Sequence, residues 1–157
     1  MRQPKILKII LLVSILGIMV SGYLVNLHYT QKASPCDFSQ TFSCSIVNQS
    51  NYAEFLGIPV ALFGLGGYLV IGLISLSLWK RFQFKNPMIK KFISPNTLLY
   101  LSLGAVFASL YLTYAEFFVI KTICLLCLVS QGSVLAIAGL SYQNLRLDQR
   151  GDQNYIS

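Results

Sequence analysis

Residues 122–131 read Thr122-Ile123-Cys124-Leu125-Leu126-Cys127-Leu128-Val129-Ser130-Gln131, and no charged side chain interrupts the chain from 122 to 145. A run of that length is near the ~20 residues a helix needs to cross about 30 Å of hydrocarbon. Three further uncharged runs, 9–27, 55–79 and 92–115, are of similar length. Together the four use up most of the 157 residues, so no second, soluble domain is expected. The chain is 55% hydrophobic and only 11% charged, where a soluble domain carries about 25% charged residues. The expected fold class is an all-α integral membrane protein: one domain over 1–157, a four-transmembrane-helix bundle with helices at about 6–27, 57–79, 96–118 and 123–141.

The net charge of +7 is unevenly placed. Arg2, Lys5 and Lys8 precede the first apolar segment, Lys80, Arg81, Lys85, Lys90 and Lys91 lie between the second and third, and Arg146 and Arg150 follow the fourth. Only Lys32 and Lys121 fall on the opposite side. The positive-inside rule then puts both termini in the cytoplasm and turns the loops holding Lys32 and Lys121 outward. The charge is a topology signal, and no nucleic-acid partner is expected. The basic linker at 81–91 also suits anionic lipid.

In chain order, the first apolar run is longer than a signal-peptide core and no Ala-x-Ala site follows, so it reads as a retained helix. His28 and Tyr29 sit at its outer end, where the histidine reads as an interfacial residue with its tip in water. The extracytoplasmic loop between helices 1 and 2, about 30–54, carries Cys36, Asp37, Cys44 and Glu54 and reads as loop or broken helix. Gly57-Ile58-Pro59 is expected to open the second helix, with proline in its first turn. Gly64, Gly66, Gly67 and Gly72 then let a neighbouring helix approach. Phe107, Tyr111, Tyr114 and Phe118 recur at helical spacing, as a wall for a flat ligand or as ordinary packing. Glu116, an acid inside a span, is a functional candidate by default; its place near the outer end and Lys121 also suits a purely interfacial role. The tail, 142–157, reads as polar and disordered.

Two chemistries fit Cys124 and Cys127. At a helix start they can close a disulfide across one turn, and the terminal amides favour the thiolate that reopens it. They can equally be small apolar residues packed in a helix. Cys36 and Cys44 bear on the choice, because the charge count places all four cysteines on the outward side, where disulfides persist. Four cysteines permit three pairings. Local pairing, Cys36 with Cys44 and Cys124 with Cys127, gives one wet pair and one at the bilayer edge, and thiol–disulfide exchange between them makes an electron relay. A zinc site of four cysteines normally uses two short knuckles, which the wide spacing of Cys36 and Cys44 does not supply, so no metal is expected.

Taken together, the Cys36…Cys44-Ser45 pair, then Phe55-Leu56-Gly57-Ile58-Pro59-Val60-Ala61, then Phe117-Phe118…Cys124-Leu125-Leu126-Cys127, resemble the vitamin K epoxide reductase family in its bacterial form. The resemblance covers about residues 29–141 and implies a four-helix membrane bundle around a quinone, ubiquinone or menaquinone. It also implies a role for each cysteine: Cys127 nearest the quinone, Cys124 exchanging with the loop through a transient disulfide to Cys44, and Cys36 receiving electrons from a thioredoxin-like partner of the DsbA kind. Many bacterial members carry that partner as a fused domain; the end of this chain at Ser157 leads us to expect a separate protein. DsbB-type proteins use two cysteine pairs in the reverse order. The vertebrate branch holds its vitamin with a tyrosine and an asparagine at the positions of Gln131 and Ala53 here, which argues against epoxide reduction and leaves quinone reduction open.

The expected function is therefore a quinone-dependent thiol–disulfide oxidoreductase of the bacterial inner membrane, with Cys36, Cys44, Cys124 and Cys127 catalytic. Asn48, Leu56, Tyr111 and Gln131 are the expected quinone contacts. The alternatives are a vitamin K epoxide reductase of a secretory compartment and a non-catalytic membrane subunit with structural cysteines.

Overall fold

The computed structural model describes residues 4–39, 41–80 and 93–153. The expected basic linker at 81–91 lies outside them, as does the end of the tail from 154 onward. Four long helices dominate: α1 (Pro4–Thr30), α3 (Val60–Lys80), α4 (Pro95–Tyr114) and α5 (Leu125–Gln153), with a short α2 (Cys44–Asn48) in the loop after α1. The segments Lys5–Thr30, Val60–Lys80, Pro95–Ile120 and Leu125–Gln149 are each long and apolar enough to span a membrane. The protein is a four-helix membrane bundle. Its helices alternate in direction, so the end of α1, the start of α3, the end of α4 and the start of α5 meet at one end with all four cysteines.

α1 packs mainly against α3, and α4 against α5, while α3 and α4 make the loosest of the seams between neighbouring helices. Small residues make the α1–α3 contact close. A Cβ at Gly17 would overlap the Tyr68 ring, and one at Gly72 would meet Ser14 at 3.5 Å. Such contacts replace the hydrophobic drive that lipid cannot provide between apolar helices. Ser75 Oγ donates to the Leu7 carbonyl at 2.8 Å, fully buried, and ties α3 to α1. Leu7, Ile10, Ile74, Leu78, Leu98 and Ile137 form the core at the end away from the cysteines. Lys8 Nζ lies 5.0 Å from the Trp79 ring there.

Three local expectations are corrected. Gly57-Ile58-Pro59 does not open a helix. Ile58–Pro59 pairs antiparallel with Glu54–Phe55 as a small hairpin, and α3 starts at Val60. Leu56 and Gly57 both take positive φ, 55° and 77°, the backbone that a two-residue hairpin turn requires. Second, residues 142–153 of the expected disordered tail are helical. α5 continues to Gln153 because Gln, Leu and Arg are good helix formers in any solvent, and Arg146 sits 4.9 Å over the Tyr142 ring one turn back. Third, the α-helical hydrogen bonding of α4 stops at Tyr114, and Ala115–Ile120 forms a wider π-helical turn. Such turns re-aim side chains and often stand at functional sites.

Candidate functional site

The loop pair is built around Asp37. Its carboxylate accepts from the Ser34 N–H (2.7 Å), the Ser45 N–H (3.1 Å), the Ser45 hydroxyl (2.6 Å) and the Ser43 hydroxyl (2.8 Å). Desolvation pushes its pKa up, but the bonds from Ser45, Ser43 and Ser34 outweigh this and hold the acid well below the usual carboxylate range. The two ends of the loop are thereby drawn together, and Cys36 and Cys44 are joined as a disulfide with their Cα atoms 5.9 Å apart. Ser43 also caps α2, accepting from the Ile46 N–H at 3.2 Å.

This loop is held against the start of α5 by a short parallel bridge between Phe42 and Ile123. The Ile123 N–H donates to the Thr41 carbonyl (2.8 Å) and the Ser43 N–H to the Ile123 carbonyl (3.2 Å). Cys44 follows Ser43 directly, and Cys124 follows Ile123. Cys44 and Cys124 are both fully buried, and they pack in one apolar cluster with Leu24, Leu27 and Val47, with Cys36 and Cys127 at its margin. Cys124 precedes the first residue of α5 and caps it, its Sγ receiving the Cys127 N–H at 3.2 Å. Cys124 and Cys127 are free thiols.

The π-helical turn turns Glu116 into the bundle, where it is 5% exposed. One carboxylate oxygen accepts from the Cys124 N–H at 3.4 Å, and the side chain lies beside the Cys127 thiol. The residue is thus buried against the Cys124 backbone and beside Cys127, not interfacial beside Lys121.

Cys127 and Glu116 open onto a cavity of about 230 Å³ between the helices. Its walls are mostly apolar or small, with Leu24, Phe63, Ile71 and Leu112 among them, and Gly64, Gly67, Ala105 and Ala108 along the loose α3–α4 seam. Asn48 and Gln131, two of the four expected quinone contacts, are among its lining residues. Asn48 Nδ2 donates to the Leu24 carbonyl (2.7 Å), fixing α2 to α1. Gln131 Oε1 accepts from the Thr113 hydroxyl, which leaves its amide N–H groups for another acceptor. Tyr68 donates to the Ser130 carbonyl at 2.8 Å across the same space. His28 does not hold its tip in water: Nδ1 donates to the Asn48 carbonyl (2.8 Å), and Nε2 lies 3.2 Å from Glu54, an ion pair when the ring is protonated.

Leu56 and Tyr111, the other two expected quinone contacts, are not among the residues lining this cavity. Leu56 is 89% exposed because it occupies the hairpin turn, and Tyr111 is 62% exposed on the outer face of α4. Phe107 and Phe118 are likewise exposed, and Tyr114 stacks on Phe118 at 5.0 Å, so the aromatic row faces away from the bundle. Sequence reasoning left the parts played by Asp37, Tyr68 and Thr113 unassigned. Tyr68 and Thr113 act on residues distant in sequence, Ser130 and Gln131, and Asp37 acts through an irregular loop closure that no periodicity announces. Among the described residues no three His, Cys, Asp or Glu side chains converge as a metal site would require.

A membrane bundle that presses a disulfide loop onto a Cys-x-x-Cys helix start defines a membrane-embedded redox protein. The family model of the vitamin K epoxide reductase family matches residues 8–142. The chain belongs to that family, whose members are oxidoreductases that use quinones as electron carriers.

Proposed function

We propose that the protein is a quinone-dependent thiol–disulfide oxidoreductase that reoxidises a thioredoxin-fold partner of the DsbA kind in the bacterial inner membrane, with both termini cytoplasmic. The observation that carries this reading is the graded burial of the cysteines. Cys36 is half-buried, Cys44 and Cys124 are fully buried beside one another, and Cys127 borders the cavity. That order suits electrons entering at the loop surface, crossing between two buried sulfurs and leaving into an apolar space.

The cavity residues fit a quinone. A cavity of about 150 Å³ accepts a benzene ring, and this one is larger. Its apolar walls suit the ring, and the amides of Asn48 and Gln131 can donate to two carbonyl oxygens. Ala53 lines the same wall, so neither residue by which the vertebrate branch holds its vitamin is present. A bound quinone supplies a two-electron, two-proton acceptor.

The protein's own residues do the rest. The disulfide of Cys36 and Cys44 takes electrons from the partner's thiols by exchange, with Cys36 as the attacked sulfur because it is the more accessible. Cys44, held beside Cys124 by the bridge at Ile123, exchanges with it. Cys124 stays at the helix start, and Cys127, one turn along α5, delivers electrons to the cavity. Asp37 and its serines keep the loop closed over this route and exclude water from Cys44.

The test is quinone reduction by purified protein supplied with a reduced thioredoxin-fold oxidase, in wild type and Cys127→Ala. Turnover that vanishes in the variant is expected. Folded protein with its loop disulfide intact that reduces neither ubiquinone nor menaquinone would overturn the reading.

A further inference from the structure

We infer that Glu116 is a catalytic proton carrier, moving protons from the thiols of α5 to the quinone as the Cys124–Cys127 disulfide forms. The inference rests on the proposed quinone chemistry and assigns it a residue. Three observations carry it. Glu116 lies beside the Cys127 thiol, and both residues border the same cavity. It also accepts the Cys124 N–H at 3.4 Å, so it is packed against both members of the pair. And it lines the cavity itself, where it is the one charged residue type among the described lining residues.

The surroundings exclude a purely structural ion pair. Around the cavity α5 presents Cys127, Ser130 and Gln131, α3 presents Tyr68, the turn after α2 presents Tyr52, and α1 presents Ser21 and Leu24. No lysine, arginine or histidine is among them. Lys121, which ends the turn that carries Glu116, is exposed and is not among the residues lining this space. A buried acid with no cationic partner costs folding free energy, and an ionisable group kept inside a span marks a proton or substrate path. The π-helical turn that brings it inward is a second departure from regular structure at the same position.

The chemistry balances. Two S–H bonds break, one S–S bond forms between Cys124 and Cys127, and two electrons pass to the quinone. The two protons pass in succession through the Glu116 carboxyl to the two quinone oxygens, and Glu116 ends the cycle as it began. Water has no comparable route, because Cys124 is fully buried and Cys127 faces an apolar cavity.

The experiment has two arms. In quinone-free protein with Cys36, Cys44 and Cys124 changed to Ala, Cys127 is the sole thiol, and its alkylation rate is followed against pH with Glu116 and with Glu116→Gln. Removing the carboxylate is expected to speed alkylation several-fold on the rising limb and to leave the high-pH plateau unchanged; mere loosening of the helix would raise the plateau too. In the full chain, quinone turnover is expected to fall about 100-fold with Glu116→Gln and to recover at least in part with Glu116→Asp, which keeps the carboxyl group. Superimposable alkylation profiles, a raised plateau, or turnover within about three-fold of wild type in Glu116→Gln would overturn the proposal. Should Glu116→Gln fail to fold, the same profiles are read on Glu116→Asp, where an unmoved limb with abolished turnover would overturn it. A wild type that reduces no quinone would instead fail the parent reading, while the alkylation arm still reports on Glu116 and Cys127.

Discussion

The Ser43 amide donates to the carbonyl of Ile123 at 3.2 Å, and the cysteines that follow these two residues, Cys44 and Cys124, are both buried in the same cluster. Two hydrogen bonds from Ile123, to Thr41 and from Ser43, therefore hold side by side the segments that carry the proposed exchange partners. In a Cys36→Ala, Cys127→Ala background a Cys44–Cys124 cross-link is expected under mild oxidation, read as a mobility shift on a non-reducing gel. Ile123→Pro removes the donor to the Thr41 carbonyl and is expected to slow cross-linking about ten-fold. Equal rates would show that the bridge does not position the sulfurs.

Asp37 governs the loop through charge. Asp37→Asn keeps the shape but weakens four hydrogen bonds to a carboxylate. Reduction of the Cys36–Cys44 disulfide by a small dithiol at neutral pH is expected to be about ten-fold faster in the variant. The pH sign follows from the depressed acidity of Asp37 in the folded protein. Its stabilising effect is complete above the ordinary aspartate value of about 4 and shrinks as pH falls below it. The difference between wild type and variant should narrow on acidification; a difference that widens would contradict this account.

The cavity makes a prediction that separates lining residues from exposed ones. Gln131→Leu removes an amide donor from the wall and is expected to raise the KM for quinone about ten-fold, with kcat less affected. Leu56→Ala and Tyr111→Phe, which alter exposed side chains, are expected to stay within about two-fold of wild type. Steady-state kinetics with quinone as the varied substrate decide it, and a large effect from Tyr111→Phe would move the binding site to the outer face of α4.

Gly17 bears on stability. A methyl group there overlaps the Tyr68 ring, and Tyr68 in turn bonds Ser130 on α5. Gly17→Ala is expected to cost about 1–3 kcal/mol, and adding Tyr68→Leu should recover part of that loss. Thermal unfolding in detergent measures both, and additive losses would mean that the two residues are not in contact.

The sequence by itself determined the solvent and the architecture. Four uncharged runs admit only a membrane bundle, because a backbone in hydrocarbon must satisfy its own hydrogen bonds within helices. It also marked the four cysteines, whose chemistry is unlike that of any other side chain, and it carried the motifs of the family. Tertiary structure alone decided which residues face inward. Helical spacing grouped Phe107, Tyr111, Tyr114 and Phe118 into one row, but in lipid the apolar contrast that would tell inside from outside is absent, and the row turned outward. Glu116 was visible as an acid in a span, yet its contact with Cys127 depends on a wider helical turn that no periodicity announces. The Phe42–Ile123 bridge, two hydrogen bonds between segments far apart in the chain, is a product of packing that local sequence does not encode.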